Sequence, residues 1–328
     1  MQAIMVTGGA GFIGSNFIRY FRQRHPDFLI INYDKLTYAG NLRNVQDLAG
    51  SSKYVFIKGD ICDTEHVEKV LKQYDPVYVV NFAAESHVDR SIDDPLVFGK
   101  TNVLGALNLL YCLRKHWQGG GYDSRRFLQI STDEVYGSIA NLEDFFDEES
   151  NLLPNSPYSA SKAGADLFGR AFYQTYKFPI IITRCCNNYG PYQYKEKFIP
   201  NSIIKALRDE PIPIYGDGTN VREWIHVKDH CAAVEQVLFN GKVGEIYNIG
   251  SGEEISNLEM ARLILKYLGK PPDAIVTVSD RPGHDWRYAL NSKKIKNITD
   301  WKCIYSLTEG IKDTIRWYQE NRDWWEDN

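Results

Sequence analysis

Between Ala3 and Phe21 the chain passes from a short apolar run into Thr7-Gly8-Gly9-Ala10-Gly11-Phe12-Ile13-Gly14, and then onto Phe17, Ile18 and Phe21 at helical spacing. Strand, glycine turn and helix is the reading that satisfies all three parts. Glycines at 8, 11 and 14 let the backbone approach a pyrophosphate, and the start of the helix offers it unpaired N–H donors and a positive dipole end. Phe28 to Tyr33 forms a second apolar strand that ends at Asp34, twenty residues beyond Gly14. An acid there accepts from both ribose hydroxyls and repels a 2′-phosphate, which predicts NAD rather than NADP as cofactor. Lys35 is a neighbouring cation that would soften that repulsion.

The same alternation continues downstream. Val55 to Ile61 reads as a third strand, and Val77 to Ala84 as a fourth that is almost unbroken in its apolar character, as a strand covered on both faces should be. Val67, Val70 and Leu71 mark a helix between them, and Val103 to Leu113 a longer one, with Leu104, Leu107, Leu110 and Tyr111 on one face. Phe127 to Ile130 and Ile180 to Arg184 add two more buried strands. Strands and helices alternating through short connections predict an α/β fold, a doubly wound parallel Rossmann sheet. Beyond Gly190, prolines 191, 200, 211 and 213 punctuate the chain and the alternation weakens. That shift predicts a cofactor domain over 1–190 and a smaller C-terminal α/β substrate domain over 191–328, with segments near 222–228 and 245–250 returning to the first. Trp317, Tyr318, Trp324 and Trp325 should pack a final helix.

The chemistry gathers where the central strand ends. Ile130-Ser131-Thr132-Asp133-Glu134-Val135-Tyr136-Gly137 puts a hydroxyl and two adjacent acids at a strand's carboxyl end, the ligand edge of such a sheet. Tyr158 and Lys162 stand four residues apart, one turn of a helix. Taken singly, each is an ordinary loop acid or surface pair. Together they can converge on one pocket. His87, after the fourth strand, reads as a residue bonding locally at a helix start rather than a catalyst.

Several classes of function are excluded. With 43% apolar residues in 328, the chain can bury a substantial core, and a formal charge of −4 supplies no general basic surface for nucleic acid. Six cysteines show neither C-x-x-C spacing nor a paired histidine run, so no metal site or disulfide framework is expected. No charged leader precedes the glycine motif and no apolar run reaches membrane-spanning length, which predicts a cytoplasmic location.

The glycine turn, Asp34, Thr132 and Tyr158-x-x-x-Lys162 together resemble the extended short-chain dehydrogenase/reductase superfamily, over essentially the whole chain. Within it, T-D-E-V-Y-G at 132–137, D-K-L-T-Y-A-G at 34–40, A-A-E-S-H-V-D-R-S at 83–91 and D-R-P-G-H-D at 280–285 are similar to the nucleotide-sugar 4,6-dehydratases. Epimerases and decarboxylases of the same fold share the tyrosine and lysine but generally lack the acid pair. The resemblance implies that Gly8, Gly11, Phe12, Ile13, Gly14, Asp34, Lys35, Thr37, Asp60, Ile61, Ala83, Ala84, Thr101, Tyr158, Lys162 and Asn188 hold NAD. It places Ser86, Thr132, Asn187, Lys197, Phe198, Pro213, Tyr215, Arg222, Asn257, Arg281 and His284 against a nucleotide-diphosphate sugar, with Arg222 and Arg281 suited to the diphosphate.

Thr132, Asp133, Glu134, Tyr158 and Lys162 would be catalytic. The implied reaction oxidises glucose C4, eliminates water across C5 and C6, and returns the hydride to C6. For Tyr158 to act as a base near neutrality its pKa must fall by roughly three units, about 4 kcal/mol, which Lys162 and the nicotinamide cation would supply. A 4-epimerase of the same fold and a catalytically silent cofactor-binding protein are the competing readings. Apolar residues on more than one helix face (Leu107, Leu109, Leu110, Leu113; Ala165, Leu167, Phe168, Phe172), taken with the resemblance, predict a homodimer.

Overall fold

The structure, a computed structural model, describes residues 1–326. Its strands are, in chain order, β1 (Ala3–Thr7), β2 (Leu29–Asp34), β3 (Tyr54–Lys58), β4 (Tyr78–Asn81), β5 (Arg126–Thr132), β6 (Ile180–Cys185), β7 (Asn187–Tyr189), β8 (Ile212–Tyr215), β9 (Val221–His226), β10 (Ile246–Ile249), β11 (Glu254–Ser256) and β12 (Ile275–Val278). Seven of them form one sheet in the order β10-β6-β5-β4-β1-β2-β3, and every pairing in it is parallel. The order reverses between β1 and β4. Connections on the two sides of that junction leave in opposite directions, so the carboxyl ends of the strands open a crevice there, the usual place for a ligand in an open α/β sheet.

The two-residue period of a strand explains the layers. Ile4, Val6, Ile30, Val80, Leu128 and Ile181 enter one apolar layer with Phe17 and Phe21 of helix Phe12–Arg24 and Val234, Val237 and Leu238 of helix Val227–Asn240. Their neighbours Met5, Ile31, Val79, Phe127, Ile180 and Ile182 enter the other layer. There they meet Val67, Val70 and Leu71 of helix Thr64–Tyr74 and Leu109, Leu110, Leu113 and Trp117 of helix Ala106–Trp117. Burial on both faces is why these strands show no polar alternation.

Two expectations change. Pro95–Trp117 is a helical run of 23 residues, with mean hydropathy 1.4 in its most apolar stretch, long and apolar enough by those measures to cross a bilayer. Packing accounts for that composition, since Leu109, Leu110, Leu113 and Trp117 are buried against the sheet. Leu104 and Tyr111 are exposed, so the single apolar face expected from Leu104, Leu107, Leu110 and Tyr111 is divided between core and surface.

The second change concerns the returning segments. β10 pairs with β6, from Ile246 opposite Ile182 to Ile249 opposite Cys185. β9 instead lies between β7 and β11 in a separate three-stranded sheet, because Trp224 packs into the small lobe's own core with Tyr189, Ile199 and Met260. The helix after it, Val227–Asn240, is what comes back to the large sheet. The small lobe's sheet begins at Asn187, ahead of the break expected near Gly190. β8 and β12 form a parallel pair on its far side. Trp324 and Trp325 close the same core from the short helix Arg322–Glu326.

Candidate active site

A cavity of about 690 Å³ opens at the β1/β4 crevice and is walled by both lobes; every residue assigned above to cofactor, sugar nucleotide or chemistry borders it. Gly8 follows β1 with φ +69°, and a Cβ there would stand 2.6 Å from the Ala83 nitrogen. A Cβ at Gly14 would stand 2.3 Å from the Gly8 carbonyl oxygen. Only glycine permits the turn to close this tightly on the β4 exit and on its own helix. Gly11 caps helix Phe12–Arg24 without a side-chain bond, leaving the first-turn N–H groups to an anion.

Asp34 accepts the Ala10 N–H at 2.9 Å and the Leu36 N–H at 2.7 Å, one on each oxygen. Lone pairs remain for ribose hydroxyls. Burial raises its pKa against those two bonds. Lys35 turns to Asp60, Nζ to Oδ2 2.8 Å, so the cation that would temper the repulsion of a 2′-phosphate is neutralised. The glycine cradle, the bare helix start and the fixed acid fit NAD.

β3 and β4 stop earlier than the sequence predicts, at Lys58 and Asn81. Gly59 to Ile61 and Phe82 to Ser86 leave the ladder to line the cavity. Asn102 holds the second of these loops: its side chain accepts the Glu85 N–H at 2.9 Å and donates to the Glu85 carbonyl at 2.9 Å and Ser161 Oγ at 2.8 Å. It lies in a π-helical stretch, Gly99–Gly105, which also sets Thr101 on the wall. Such local widening is frequent at functional sites.

At the end of β5, Thr132 caps the 3-10 turn Asp133–Tyr136, its Oγ1 accepting the Glu134 N–H at 3.3 Å. Asp133 is 1% exposed. Thr132 Oγ1 donates to its Oδ1 at 3.1 Å, while Oδ2 is buried without a partner among the described residues. The two acids live in different fields. Burial lifts the Asp133 carboxyl well above the usual range, and the negative charges of Glu134 and Glu223 add to it. Burial raises Glu134 also, but the cations of Arg281, Arg222 and Lys197 oppose the rise. Both carboxyls are raised, Asp133 the more strongly, so of the two Asp133 holds a proton the more readily.

Helix Pro157–Tyr176 begins with a reciprocal Ser156–Ser159 cap and Pro157 in its first position. Tyr158 and Lys162 therefore project from successive turns. Lys162 Nζ donates to the Ile130 carbonyl at 2.6 Å, and burial lowers its pKa. The sequence predicts that Lys162 and the nicotinamide cation together depress the phenol; without the cofactor the balance of effects runs the other way. Burial pushes Tyr158 well up, Glu134, Cys185 and Asp133 push the same way, and the Thr132 hydroxyl opposes them. Burial is the largest of these effects.

Across the cavity, Lys197 Nζ donates to the Ser86 carbonyl at 2.5 Å, joining the two lobes. Arg222 is less free than a diphosphate ligand was expected to be. Its Nη1 donates to the Val221 carbonyl at 2.8 Å and the Trp286 carbonyl at 3.2 Å, and its Nη2 to the Asp285 carbonyl at 2.9 Å. Arg281 reaches Asp89 at 3.5 Å, and its buried Nε has no partner among the described residues. His284 Nδ1 meets Asp280 Oδ1 at 2.7 Å. Asn187, Phe198, Pro213, Tyr215 and Asn257 complete the wall. His87 accepts the Arg90 N–H at 3.4 Å as a helix cap.

Tyr288 lies outside every sequence motif. It is 2% exposed, lies under the Arg222 guanidinium at 4.5 Å, bonds Asp285 through its hydroxyl and feels the Glu134 charge. A lone aromatic outside any motif carries no signal of this. Glu85 and Glu196 also border the cavity. Glu85 stands inside the A-A-E-S-H stretch and was findable there.

Residues 5–314 match the family model described as GDP-mannose 4,6 dehydratase. A dTDP-glucose 4,6-dehydratase of Xanthomonas campestris pv. campestris (strain B100) is 47% identical over 99% of this chain and 95% of that protein. The crystal structure of a dTDP-glucose 4,6-dehydratase of Bacillus anthracis in complex with NAD is 48% identical, covers 100% of this chain and 99% of its own, and superposes with a TM-score of 0.92. One from Streptomyces venezuelae with NAD and TYD bound is 45% identical over 99% of both chains, with a TM-score of 0.94.

Proposed function

The chain belongs to the nucleotide-sugar 4,6-dehydratase family, and on that premise we propose that it is an NAD-dependent lyase converting dTDP-glucose to the 4-keto-6-deoxy sugar nucleotide. The observation that carries the reading is the acid pair itself: Asp133, 1% exposed with its Oδ2 unpartnered among the described residues, and Glu134 beside it in the field of three cations. A 4-epimerase has no use for such a pair, since it removes no proton from C5 and expels no water. Residues 1–190 then serve mainly the cofactor and 191–328 mainly the sugar nucleotide.

Bound NAD supplies the acceptor for the C4 hydride and, once reduced, the donor to C6, and its cationic ring counters the burial that keeps Tyr158 protonated. Tyr158 takes the proton from sugar O4, with Thr132 hydrogen-bonded to the same oxygen. Lys162, held on the Ile130 carbonyl, positions the phenol's turn of helix. The 4-ketone acidifies C5. Glu134 takes the C5 proton and Asp133 gives its own to the departing 6-hydroxyl, so water leaves. As C6 takes back the hydride, Glu134 returns a proton to C5; the protons gained by Tyr158 and lost by Asp133 balance through solvent, and the cofactor ends as it began. Arg281, with its unpartnered Nε, and Lys197 balance the diphosphate charge, while Arg222 braces the 285–286 loop and contributes its field.

The test is turnover with dTDP-, UDP-, GDP- and CDP-glucose, read as the absorbance of a keto sugar in alkali. A 4-epimer without keto sugar would overturn the reading, and preference for another base would overturn the substrate.

A homodimer goes with this function. Leu109, Leu110, Leu113 and Ala165, expected at the interface, are core residues of the single chain, but Leu96, Leu104, Tyr111, Leu167 and Phe168 are left exposed on the two helices. Pairing these helices with those of a second copy would cover them. A monomer by sedimentation at micromolar concentration would refute it. A cytoplasmic site of action fits a cofactor and substrate that both carry diphosphates and cross no membrane unaided; cell fractionation tests it.

A further inference from the structure

Hydride must return to the molecule it left, so the site has to keep its reduced cofactor through elimination. That places a demand on the glycine turn, and the turn is braced from an unexpected direction. Ala10 is its middle residue. The Ala10 N–H is held by Asp34 Oδ2 at 2.9 Å. The Ala10 carbonyl accepts twice, from Asn44 Nδ2 at 2.9 Å and from the Asn41 N–H at 3.0 Å. Asn44 is 1% exposed, and its Oδ1 accepts the indole N–H of Trp324 at 2.8 Å. A second tie runs alongside, from Arg43 Nη1 to the Asp323 carbonyl at 3.0 Å.

Trp324 belongs to the short C-terminal helix and is separated from Asn44 by 280 residues. Its ring is seated among Tyr192, Trp317 and Tyr318, at centroid distances of 6.0, 5.0 and 6.4 Å. The Tyr318 hydroxyl in turn donates to the Gln193 carbonyl, and Gln193 donates to the Asn188 carbonyl at 2.8 Å. Gln193 and Asn188 both border the cavity.

We infer that Trp324, through Asn44, is a positioning residue for the cofactor: the C-terminal helix sets the direction of the Ala10 peptide and so aims the pyrophosphate-binding N–H groups that follow it. The amide side chain of Asn44 can satisfy the Ala10 carbonyl only in the orientation that presents its oxygen to Trp324. Without the indole N–H that oxygen is buried and unpaired, a state costly enough to favour rotation of the amide and release of the turn. The inference rests on the NAD assignment proposed above.

The experiment uses cofactor-stripped full-length protein titrated with NAD by calorimetry. Trp324→Phe keeps a ring in the aromatic cluster and deletes the donor; Asn44→Ala removes the relay. Each should raise the NAD dissociation constant roughly tenfold, with the KM for dTDP-glucose moved less than twofold, and the double variant should bind no more weakly than the poorer single one. Trp317→Phe disturbs the same cluster without touching the relay and should leave NAD affinity unchanged. Unaltered affinity in Trp324→Phe, additive effects in the double variant, or equal weakening by Trp317→Phe would overturn the inference. If Asn44→Ala does not fold, Trp324→Phe against Trp317→Phe decides alone. Failure of the unmodified protein to bind NAD would instead refute the proposed function.

Discussion

Replacing Glu134 by glutamine separates the two halves of the reaction, and the field inside the cavity says in which direction each should move. The substitution deletes the base for the C5 proton. Loss of one such group costs about 10²- to 10⁴-fold, or about 3 to 5 kcal/mol of barrier. It also removes a negative charge that raises both Tyr158 and Asp133. The phenol of Glu134→Gln should therefore ionise more readily than in the unmodified enzyme, so C4 oxidation is not merely spared but reaches its half-maximal rate at lower pH. Mixed with dTDP-glucose, the variant should build up close to one enzyme-bound NADH per site, seen near 340 nm, while keto product forms at least a hundredfold more slowly. Deuterium placed at C4 should remain in that bound NADH. Elimination at the unmodified rate, absence of the 340 nm band, or a shift of the oxidation step to higher pH would each refute the assignment of Glu134.

Tyr158→Phe should give the opposite pattern, with little NADH on mixing and turnover down about 10²- to 10⁴-fold; a full 340 nm band would remove Tyr158 from the oxidation step. Stripped protein should bind NAD at least about tenfold more tightly than NADP, because Asp34 stands at the ribose edge and Lys35 is paired with Asp60; equal affinities in the same titration would contradict this. Stability should fall below neutrality for a reason remote from the active site. Burial depresses His226 to about 4 and His230 to about 3, from 6.5. As pH drops from 6.5 toward 4 the unfolded chain therefore takes up protons that the folded chain refuses. Each histidine then removes up to about 1.4 kcal/mol per pH unit. The histidine share is read against His226→Gln and His230→Gln, because raised carboxyls such as Asp133 oppose it; urea midpoints that fall as steeply in both variants as in the unmodified protein between pH 7 and pH 5 would refute it.

Much of the fold was legible because its determinants are local. The glycine turn, the acid ending β2 and the strands covered on both faces all declare themselves within a few residues, and so does the adjacency of Asp133 and Glu134. What stayed hidden is the partner each charge finds across long separations. Lys35 reads as a threat to NAD selectivity until it is found paired with Asp60, and Arg222 reads as a phosphate ligand with no sign that three backbone carbonyls also take up part of its guanidinium. Trp324 reads as core until its N–H is found on Asn44.

Lys162 is the instructive case, because the tyrosine-lysine spacing correctly predicts a shared helix face yet says nothing about where the ammonium points. It points at the Ile130 carbonyl. Burial first, and then the negative charge of Glu134, push the phenol's pKa up, so the charge that suits Glu134 to act as a base works against Tyr158. On the roles proposed for these two residues, oxidation then waits on a cation arriving beside the phenol, and elimination on a ketone having formed beside Glu134. With those roles, the sugar hydroxyl is not deprotonated before the cofactor is in place, and the proposed brace on the glycine turn then bears on the first step as well as on retention between steps.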